Sequence, residues 1–381
     1  PDLGHISLND VERIEVTQGS AGVLYGDQAV GGVINIITRK PTDQQMVMAF
    51  DVGSYHRTGG RFNASDRLDN GFAYRIAAEA LQSDGYRDHS SRDFRNLSGF
   101  LSYAYDSGEI FAELQQVEDD LELPGALTQV EYDADRRQSN AGFVDDFSDS
   151  NISVFRLGMN QELNANWLFE GEVTHRETDE KLTQSFRNNP SPAGGETSRD
   201  HASINPRLIG DFQMARGPAQ VTIGIDAEDT DFELFVPFSF FGFPGAVDCS
   251  NDQQTEAVYA QAIIPFSEQL RCSVGGRHAN VDNQMVDATS FPAGIDVDDD
   301  VFVGTLGLNY QPDTAWRFYA RLDENFRFAK VDELTLAPAG TILDTQTGVS
   351  YDVGMEWSKQ DRFFNLGLYR LELEDEIYFD P

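Results

Sequence analysis

The feature that most constrains this chain is an alternation of apolar and polar residues with a period of two, which recurs from about Gln45 onward. In the segment 316–323, for example, apolar side chains alternate with Arg317, Tyr319, Arg321 and Asp323. Successive side chains of a β-strand point to opposite faces, which produces this period. Helical spacing is not sustained anywhere in the region. The pattern therefore predicts an all-β chain.

The alternating segments are long and numerous. They run to about a dozen residues, longer than the usual 5–6 of soluble sheets and close to the roughly 9–11 tilted residues that cross a bilayer. About fifteen such segments can be counted. They lie near 46–54, 58–66, 71–83, 92–105, 109–120, 150–161, 166–178, 200–214, 219–233, 253–265, 270–282, 300–310, 315–327, 348–358 and 363–377.

The connections between these segments alternate in length. Long connections rich in Asp, Gly, Pro and Ser are expected near 121–149, 179–199, 234–252, 283–299 and 328–347. Short turns are expected near 67–70, 106–108, 162–165, 215–218, 267–269, 311–314 and 359–362, with aromatic residues beside them. Short turns at one rim, long loops at the other and an aromatic girdle are typical of an antiparallel transmembrane β-barrel. The alternative is a soluble β-rich protein, such as a carbohydrate-binding sandwich.

Composition excludes other classes. The chain has 28 Lys plus Arg against 64 Asp plus Glu, a formal net charge of −36, so we expect no nucleic-acid partner. No run approaches the ~18 apolar residues of a membrane helix. The HExxH, GxSxG, CxxC and P-loop motifs are absent, and the acidic run 296–300 lacks the spacing of an EF-hand. We therefore predict no enzyme, no catalytic residue, no cofactor and no metal site.

The first forty residues differ from the rest. Val11 to Lys40 reads VERIEVTQGSAGVLYGDQAVGGVINIITRK, in which two short strands flank a Gly-rich segment. This run resembles the C-terminal end of the plug domain of TonB-dependent outer-membrane receptors. The stretches 325–334, 351–356 and 368–381 are similar to barrel patterns of the same family. The plug motif positions are Tyr25, Gly26, Gly31, Gly32 and Asn35.

The resemblance implies a fold, a cellular location and a domain organisation. It implies a bacterial outer-membrane barrel of 22 strands closed by an N-terminal plug. Residues 1–41 would be the C-terminal part of the plug domain, and 42–381 a partial barrel of about 15 strands. We therefore interpret the chain as an internal fragment of a longer receptor.

The resemblance also implies a function. Such receptors import a scarce nutrient chelate, most often a ferric siderophore, when TonB and its inner-membrane energising complex displace the plug. Uptake of cobalamin, haem or a glycan is the alternative within the family. A passive porin or structural barrel is the alternative outside it, although the plug motif argues against a porin. Outer-membrane lipid and lipopolysaccharide are the expected surroundings.

Candidate plug–barrel contacts follow from the family's pairing of plug arginines with barrel carboxylates. Arg13 and Arg39 are the arginines, and Glu170, Glu172 and Glu356 are the carboxylates. The competing interpretation is that each charge is solvated in a wet lumen.

Candidate substrate contacts come from three places. Tyr25, Asp27 and Gln28 lie between the two plug strands, where packing against the barrel is the competing interpretation. The apolar segment 234–244 is expected to be an extracellular loop, and exposed aromatic residues suit stacking on flat ligands. Positively charged lumen residues could concentrate an anionic chelate or pair with the plug. The candidates from these last two places are Phe238, Phe240, Phe241, Arg277 and Arg321.

Overall fold

The computed structural model describes residues 11–378 apart from 28, 141, 143–144, 187–188, 241–242, 289–290, 331–332 and 334–341, with side chains outside 186–193 and 238–244. The described part is almost entirely β, which confirms the predicted fold class. Its two helices are short: α1 (Gly22–Tyr25) and α2 (Gln129–Ala134). No described helix is long and apolar enough to cross a membrane.

The described residues before 42, which we call the plug segment after the resemblance noted above, form a small hairpin. Strands β1 (Val11–Gln18) and β2 (Gly32–Thr38) form a separate two-stranded antiparallel sheet, and α1 lies between them. Gly32 has φ 151°, and a Cβ there would lie less than 3.0 Å from the Thr17 carbonyl oxygen. Only glycine fits such a position without strain. The hairpin therefore depends on Gly32.

The remaining strands form one large antiparallel sheet in which each strand pairs with its sequence neighbours, except that β10 and β11 each pair with β9 and β12 and not with each other. The strands are β3 (Gln45–Val52), β4 (Thr58–Arg67), β5 (Phe72–Ser83), β6 (Arg92–Tyr105), β7 (Gly108–Glu122), β8 (Phe147–Glu162), β9 (Trp167–Phe186), β10 (Asn189–Ile204), β11 (Arg207–Met214), β12 (Gly217–Phe240), β13 (Phe243–Pro265), β14 (Leu270–Asp287), β15 (Phe291–Tyr310), β16 (Trp316–Arg327), β17 (Gln346–Lys359) and β18 (Arg362–Glu374).

One crossing of the sheet is interrupted. Both β10 and β11 pair with β9 and β12, so they are two halves of one crossing separated at Asn205 and Pro206. Proline has no N–H to donate to a ladder, which explains the break. The 16 strands therefore make fifteen crossings, which agrees with the number predicted. Among the described residues, β3 and β18 are the outer strands of the sheet.

The observed connections agree with the predicted short turns, whereas they agree with the predicted long loops only in part. All seven predicted short turns are present, at residues 68–71, 106–107, 163–166, 215–216, 266–269, 311–315 and 360–361. The predicted loops at 179–199, 234–252 and 283–299 were wrong, because strands occupy most of them. The acidic run 296–300 likewise lies within β15. Strand β12 reaches 24 residues and β13 reaches 23, roughly twice the length that crosses a bilayer.

Burial in the sheet is inverted relative to a soluble protein. Arg75, Asp323 and Asn325 are at most 2% exposed, whereas Phe302 and Leu368 are each 67% exposed. The polar face therefore lines an interior, and the apolar face points outward. A soluble sandwich would bury the apolar face, whereas a transmembrane barrel exposes it to lipid.

Aromatic rings gather at the rim with the short turns. The Phe72 and Tyr103 centroids lie 4.8 Å apart, and Trp316 lies 5.7 Å from Phe318 and 6.3 Å from Trp357. Amphipathic aromatic side chains are favoured at the membrane–water interface. The predicted girdle is thus present at this rim.

Candidate functional site

The plug segment packs against one part of the barrel wall. Helix α1 contacts β13, β14, β15 and β16. Val23 of α1 is 4% exposed and belongs to an apolar cluster inside the barrel. Burying a valine side chain contributes on the order of 1.5–3 kcal/mol. The barrel members of the cluster are Ala257, Ala279, Val281, Val303, Phe326 and Phe328.

Polar contacts fix the plug segment to the same wall. The Arg321 guanidinium donates to the carbonyl oxygen of Ser20 and pairs with Asp323. The backbone N–H of Phe328 donates to Asp27 Oδ1 at 3.1 Å. A barrel side chain thus holds the plug backbone, and a plug side chain holds the barrel backbone.

A second set of contacts lies where the plug segment joins the barrel. The Arg75 guanidinium donates to the carbonyl oxygen of Arg39, and it also contacts Glu113 at 3.2 Å. Lys40 Nζ lies 2.9 Å from Glu109 Oε2. The first of these contacts joins a barrel arginine to a plug carbonyl, and the second joins a plug lysine to a barrel carboxylate. A search limited to plug arginines opposite barrel carboxylates finds neither.

The predicted plug arginines have partners within the plug. Arg13 contacts Glu12 at 2.8 Å and Glu15 at 2.7 Å, and all three side chains are exposed. The hydrogen bond with Glu15 raises the pKa of Arg13 above its ordinary value. Arg39 Nε donates to the Val11 carbonyl oxygen at 3.1 Å. The bonds of Arg13 therefore stay within β1, and the bond of Arg39 links the two ends of the β1–β2 hairpin.

The predicted barrel carboxylates have partners within the barrel. Glu170 pairs with Arg207 at 2.6 Å and Glu172 with Arg156 at 3.0 Å. Glu356 pairs with Arg317 at 3.1 Å. The structure therefore does not bring these carboxylates together with Arg13 or Arg39.

A cavity of about 230 Å³, which we call the chamber, lies between the plug turn at Tyr25–Asp27 and the barrel wall. Its wall residues on β12 and β13 lie near the middle of those long strands, at or beyond the roughly 9–11 residues from the short turns that cross a bilayer. In a barrel of this kind that is the extracellular side. The chamber is lined by Tyr25, Gly26, Asp27, Arg199, His201, Glu228, Thr230, Phe232, Asn251, Gln253, Thr255, Arg277, Phe326, Phe328 and Lys330.

Arg277 links the chamber wall to the plug turn. Its side chain is 4% exposed, and Nη1 donates to Asp226 Oδ2 at 2.6 Å. The guanidinium lies over the Tyr259 ring at 5.4 Å. Gly26 has φ 70°, and a Cβ there would lie 2.9 Å from Arg277 Nη2. The guanidinium is thus held between an aromatic ring and a plug glycine.

The chamber also has buried polar atoms with spare hydrogen-bonding capacity. Arg277 Nε and Asn251 Oδ1 are buried, and neither has a hydrogen-bond partner in the described part of the chain. An unsatisfied buried polar atom costs about 1–3 kcal/mol. A polar ligand or water in the chamber would remove that cost.

Aromatic side chains form the apolar part of the chamber wall. Phe326 and Phe328 are in edge-to-face contact at 5.1 Å, and Arg199 lies 5.1 Å over the Phe232 ring. Tyr25 projects from the plug turn with 52% of its surface exposed. The chamber therefore offers aromatic faces together with charged and amide groups, which is typical of small-molecule sites.

A larger cavity of about 1600 Å³ lies on the short-turn side of the plug segment. Its wall includes Gly19, Arg321, Asp352 and Glu356, and Tyr25 lines both cavities. The two cavities are therefore separated by the plug turn.

The predicted substrate residues fall into four groups. Tyr25, Asp27 and Arg277 meet in the chamber, whereas Arg321 lies in the larger cavity. Phe238 and Phe240 are at the end of β12 rather than in a loop, and their side chains are outside the described set. Gln28 and Phe241 also lie outside the described residues.

Sequence reasoning missed several chamber residues. Arg199 and Asn251 lie in stretches assigned to loops, and Phe232 and Lys330 were not singled out. The sequence did carry a signal for β12. Every second residue continues the lumen-facing series beyond the apolar part of the strand, namely Asp226, Glu228, Thr230 and Phe232.

The described residues contain one group of three side chains with metal-ligand chemistry. Ligand atoms of His175, Glu177 and Asp200 lie within 4.8 Å of one another. His175 Nδ1 lies 3.2 Å from Asp200 Oδ1, and the side chains are about half exposed. The histidine–carboxylate contacts account for the arrangement, and we assign no metal to it.

An antiparallel barrel wall with a polar interior, an apolar exterior and an aromatic rim, together with a hairpin inserted into its lumen, defines a plugged outer-membrane barrel. The family profile described as "TonB dependent receptor-like, beta-barrel" matches residues 22–381. The profile described as "TonB-dependent Receptor Plug Domain" matches residues 1–33. The chain belongs to the TonB-dependent receptor family, whose place is the outer membrane.

Individual proteins agree with this assignment. The chain is 25% identical to "Vitamin B12 transporter BtuB" of Vibrio vulnificus (strain CMCP6), over 92% of this chain and 52% of that one. It is 21% identical to "Ferric-pyoverdine BN7/BN8 receptor" of Pseudomonas putida, over 97% and 51%. It resembles the unliganded ferric citrate transporter FecA in fold, with a TM-score of 0.83, 18% identity and coverage of 97% and 57%. The chain spans about half the length of the curated relatives it matches.

Proposed function

We propose that this chain is part of a receptor that imports a scarce nutrient chelate by binding it in the chamber before TonB displaces the plug. A ferric siderophore is the proposed substrate. The observation that carries the proposal is the chamber itself, which is closed on one side by the plug turn and on the other by the barrel wall. A ligand bound there touches the element that must move for transport.

The contacts of the plug segment support this mechanism. Val23 packs among buried barrel residues, Arg321 holds the Ser20 carbonyl oxygen, and Asp27 accepts from Phe328. Each hydrogen bond contributes about 0.5–1.5 kcal/mol and the buried valine about 1.5–3 kcal/mol. Thermal motion rarely breaks such a set at once. An external pull, supplied by TonB and its inner-membrane energising complex, would therefore be needed.

A passive porin and an enzyme are less well supported. A porin needs an open lumen, whereas α1 occupies the lumen beside β13–β16. The family consists of receptors and transporters rather than enzymes. We propose transport without catalysis, in a barrel whose apolar exterior contacts outer-membrane lipid and lipopolysaccharide.

Uptake of cobalamin is the second candidate. It is favoured by one observation, the similarity over 92% of this chain to a protein named as a vitamin B12 transporter. The chamber's aromatic faces and amide groups are compatible with either ligand.

Growth of a deletion strain separates the candidates. The gene is deleted, and growth is measured under iron limitation with a panel of ferric siderophores and, separately, under cobalamin limitation. We expect loss of growth on at least one siderophore, restored by the wild-type gene on a plasmid. A defect only under cobalamin limitation favours the second candidate. No defect on any chelate would refute both.

A further inference from the structure

Strands β15 and β16 separate partway along their length. Their ladder ends at Thr305 and Asp323, although β15 extends on to Phe291 and β16 to Arg327. Both strands are described throughout, and β16 remains paired with β17 as far as Arg327. The barrel wall is therefore split between β15 and β16, on the side away from the short turns.

Beyond the split, the end of β16 turns into the lumen. Alternation along β16 would place Phe326 on the outward face with Leu322, yet Phe326 is 1% exposed and belongs to the lumen cluster that contains Val303. Phe302, the neighbour of Val303, is 67% exposed on the outer face of β15. Phe302 and Phe326 therefore lie on opposite sides of β15. We call residues 324–328 the inturned segment.

The plug helix α1 lies at the point of separation. Gly22 is the first residue of α1. A Cβ added to Gly22 would lie 3.2 Å from the Glu324 carbonyl oxygen and 3.4 Å from Asn325 Cα, both on β16. The same Cβ would lie 3.8 Å from Val303 Cγ2 on β15. Because the register of the ladder makes Val303 and Asn325 direct partners, the plug backbone occupies the place where these strands would pair.

Several polar groups at the split lack ladder partners. The Gly304 N–H donates to Glu324 Oε2 at 2.8 Å, and the Asp300 N–H donates to Asp299 Oδ1 at 2.8 Å. Carboxylates thus take the place of the β16 carbonyl oxygens. Asn325 is 1% exposed, and neither its Oδ1 nor its Nδ2 has a hydrogen-bond partner in the described part of the chain. Unpaired buried groups raise the free energy of the separated arrangement.

Contacts with the plug stabilise this arrangement. Val23 of α1 belongs to the same apolar cluster as Phe326, and the Phe328 N–H donates to Asp27 Oδ1 at 3.1 Å. These contacts are lost when the plug moves away, whereas the cost of the unpaired groups remains. The separated arrangement is therefore favoured only while α1 is in place.

We infer that α1 holds β15 and β16 apart, and that the two strands complete their ladder when the plug is displaced. The inference rests on the plug displacement proposed above. Phe326 lines the chamber, so the pairing would withdraw its ring from the lumen and widen the passage beside the displaced plug. Continuing the register adds the pairs Gly304 with Glu324, Val303 with Asn325, Phe302 with Phe326 and Val301 with Arg327.

Disulfide formation reports this pairing. The trap is Phe302→Cys with Phe326→Cys, at positions that lie on opposite sides of β15 while the plug is in place. In the completed ladder the two positions are directly opposite, within the ~7 Å between Cα atoms that a disulfide needs. Leu306→Cys with Leu322→Cys is the positive control, because these residues are already direct partners on the outer face. Both pairs are made in a chain whose native cysteines are replaced by alanine.

The first arm uses the purified full-length receptor in detergent with a mild oxidant. Asp27→Ala removes the acceptor of the Phe328 N–H. Glu15→Ala is the matched control, because Glu15 is an exposed plug carboxylate that contacts Arg13 within β1. We expect the trap to form about tenfold faster in Asp27→Ala than in the parent. Glu15→Ala should match the parent, and the positive control should form in every variant.

Folding of each variant is verified by heat-modifiable migration on a gel. Should Phe326→Cys prevent folding, Asp300→Cys with Phe328→Cys is the second trap. This pair continues the same register by two residues and leaves Phe326 in its cluster. Asp300 is exposed on the outer face and Phe328 is 3% exposed in the lumen cluster, so the same argument applies.

The second arm uses cells that produce the full-length receptor with the trap, with functional TonB and with TonB deleted. They are supplied with the chelate on which growth depends in the deletion test above. Accumulation of iron-55 in the presence of reductant measures import, and disulfide formation after the reductant is removed measures pairing. We expect the trap to form only in the cells with TonB.

Three results would overturn the inference and leave the import proposal intact. The first is an equal rate of trap formation in Asp27→Ala and the parent. The second is a trap that forms in the parent as fast as the positive control, since the strands would then pair with the plug in place. The third is TonB-dependent import without trap formation. Absence of TonB-dependent import would count against the proposed function, while the purified receptor still decides whether α1 holds the strands apart.

Discussion

Gly32 offers a strict test of the plug hairpin. Its φ of 151° is a backbone conformation that side-chain-bearing residues rarely adopt, and a Cβ would lie less than 3.0 Å from the Thr17 carbonyl oxygen. Gly31 is the matched control, because a Cβ there would meet no atom within 4 Å. Comparing alanine substitutions at these two positions distinguishes a glycine that the backbone requires from a neighbouring glycine that it does not require.

The cost of Gly32→Ala can be worked from these two facts. Holding alanine in a region that is essentially glycine-only costs about 1–3 kcal/mol. Relief of the clash requires β2 to move away from Thr17, which weakens hydrogen bonds of about 0.5–1.5 kcal/mol each. A local destabilisation of about 3 kcal/mol follows, and because 1.4 kcal/mol is a factor of ten, the hairpin should open about 100-fold more often.

Hydrogen exchange measures this opening directly. Deuterium uptake of peptides covering β2 (residues 32–38) is followed by mass spectrometry on the purified full-length receptor. We expect exchange about 100-fold faster in Gly32→Ala and less than twofold faster in Gly31→Ala. Equal exchange in the two variants would refute the reasoning from backbone conformation.

Two further predictions concern the barrel and its loops. Leu306 is 51% exposed on the apolar face, so Leu306→Arg should destabilise the folded barrel in lipid vesicles by about 2–4 kcal/mol. Urea unfolding measures the free energy of unfolding. The control Leu306→Phe should change that free energy little. Arg87 donates to three backbone carbonyls between residues 124 and 138. Arg87→Met should therefore make that loop sensitive to protease, whereas the control Arg95→Met should not. A loop that stays resistant to protease in Arg87→Met would contradict the proposal that Arg87 holds it in place.

The parts of the strands that cross the membrane could be predicted from sequence. There one face of the sheet contacts lipid and the other contacts a water-filled lumen. We call this part of the sheet the membrane band. That contrast produces the alternation in segments such as 316–323. Beyond the band both faces contact water, so the period disappears although the strand continues. The hairpin of β12 and β13 was read as a loop at 234–252 for this reason.

The candidate site was only partly predictable. The plug motif identified Tyr25 and Asp27 as candidate substrate contacts. The alternation of lumen-facing residues identified Arg277. The pairing of plug with barrel depends on backbone carbonyls, such as Ser20 with Arg321, and every residue has a carbonyl. No pattern of side chains marks which carbonyl is used. Side-chain charge alone therefore favoured Arg13, whose hydrogen bonds stay within its own strand.

We propose that a chelate bound above the plug crosses the outer membrane only when TonB pulls on that plug. Accumulation of iron-55 supplied as the chelate identified by the growth panel is measured in cells producing the full-length receptor, with functional TonB and with TonB deleted. We expect both strains to bind the chelate at the surface and only the strain with TonB to accumulate iron. Equal accumulation in the two strains would contradict it.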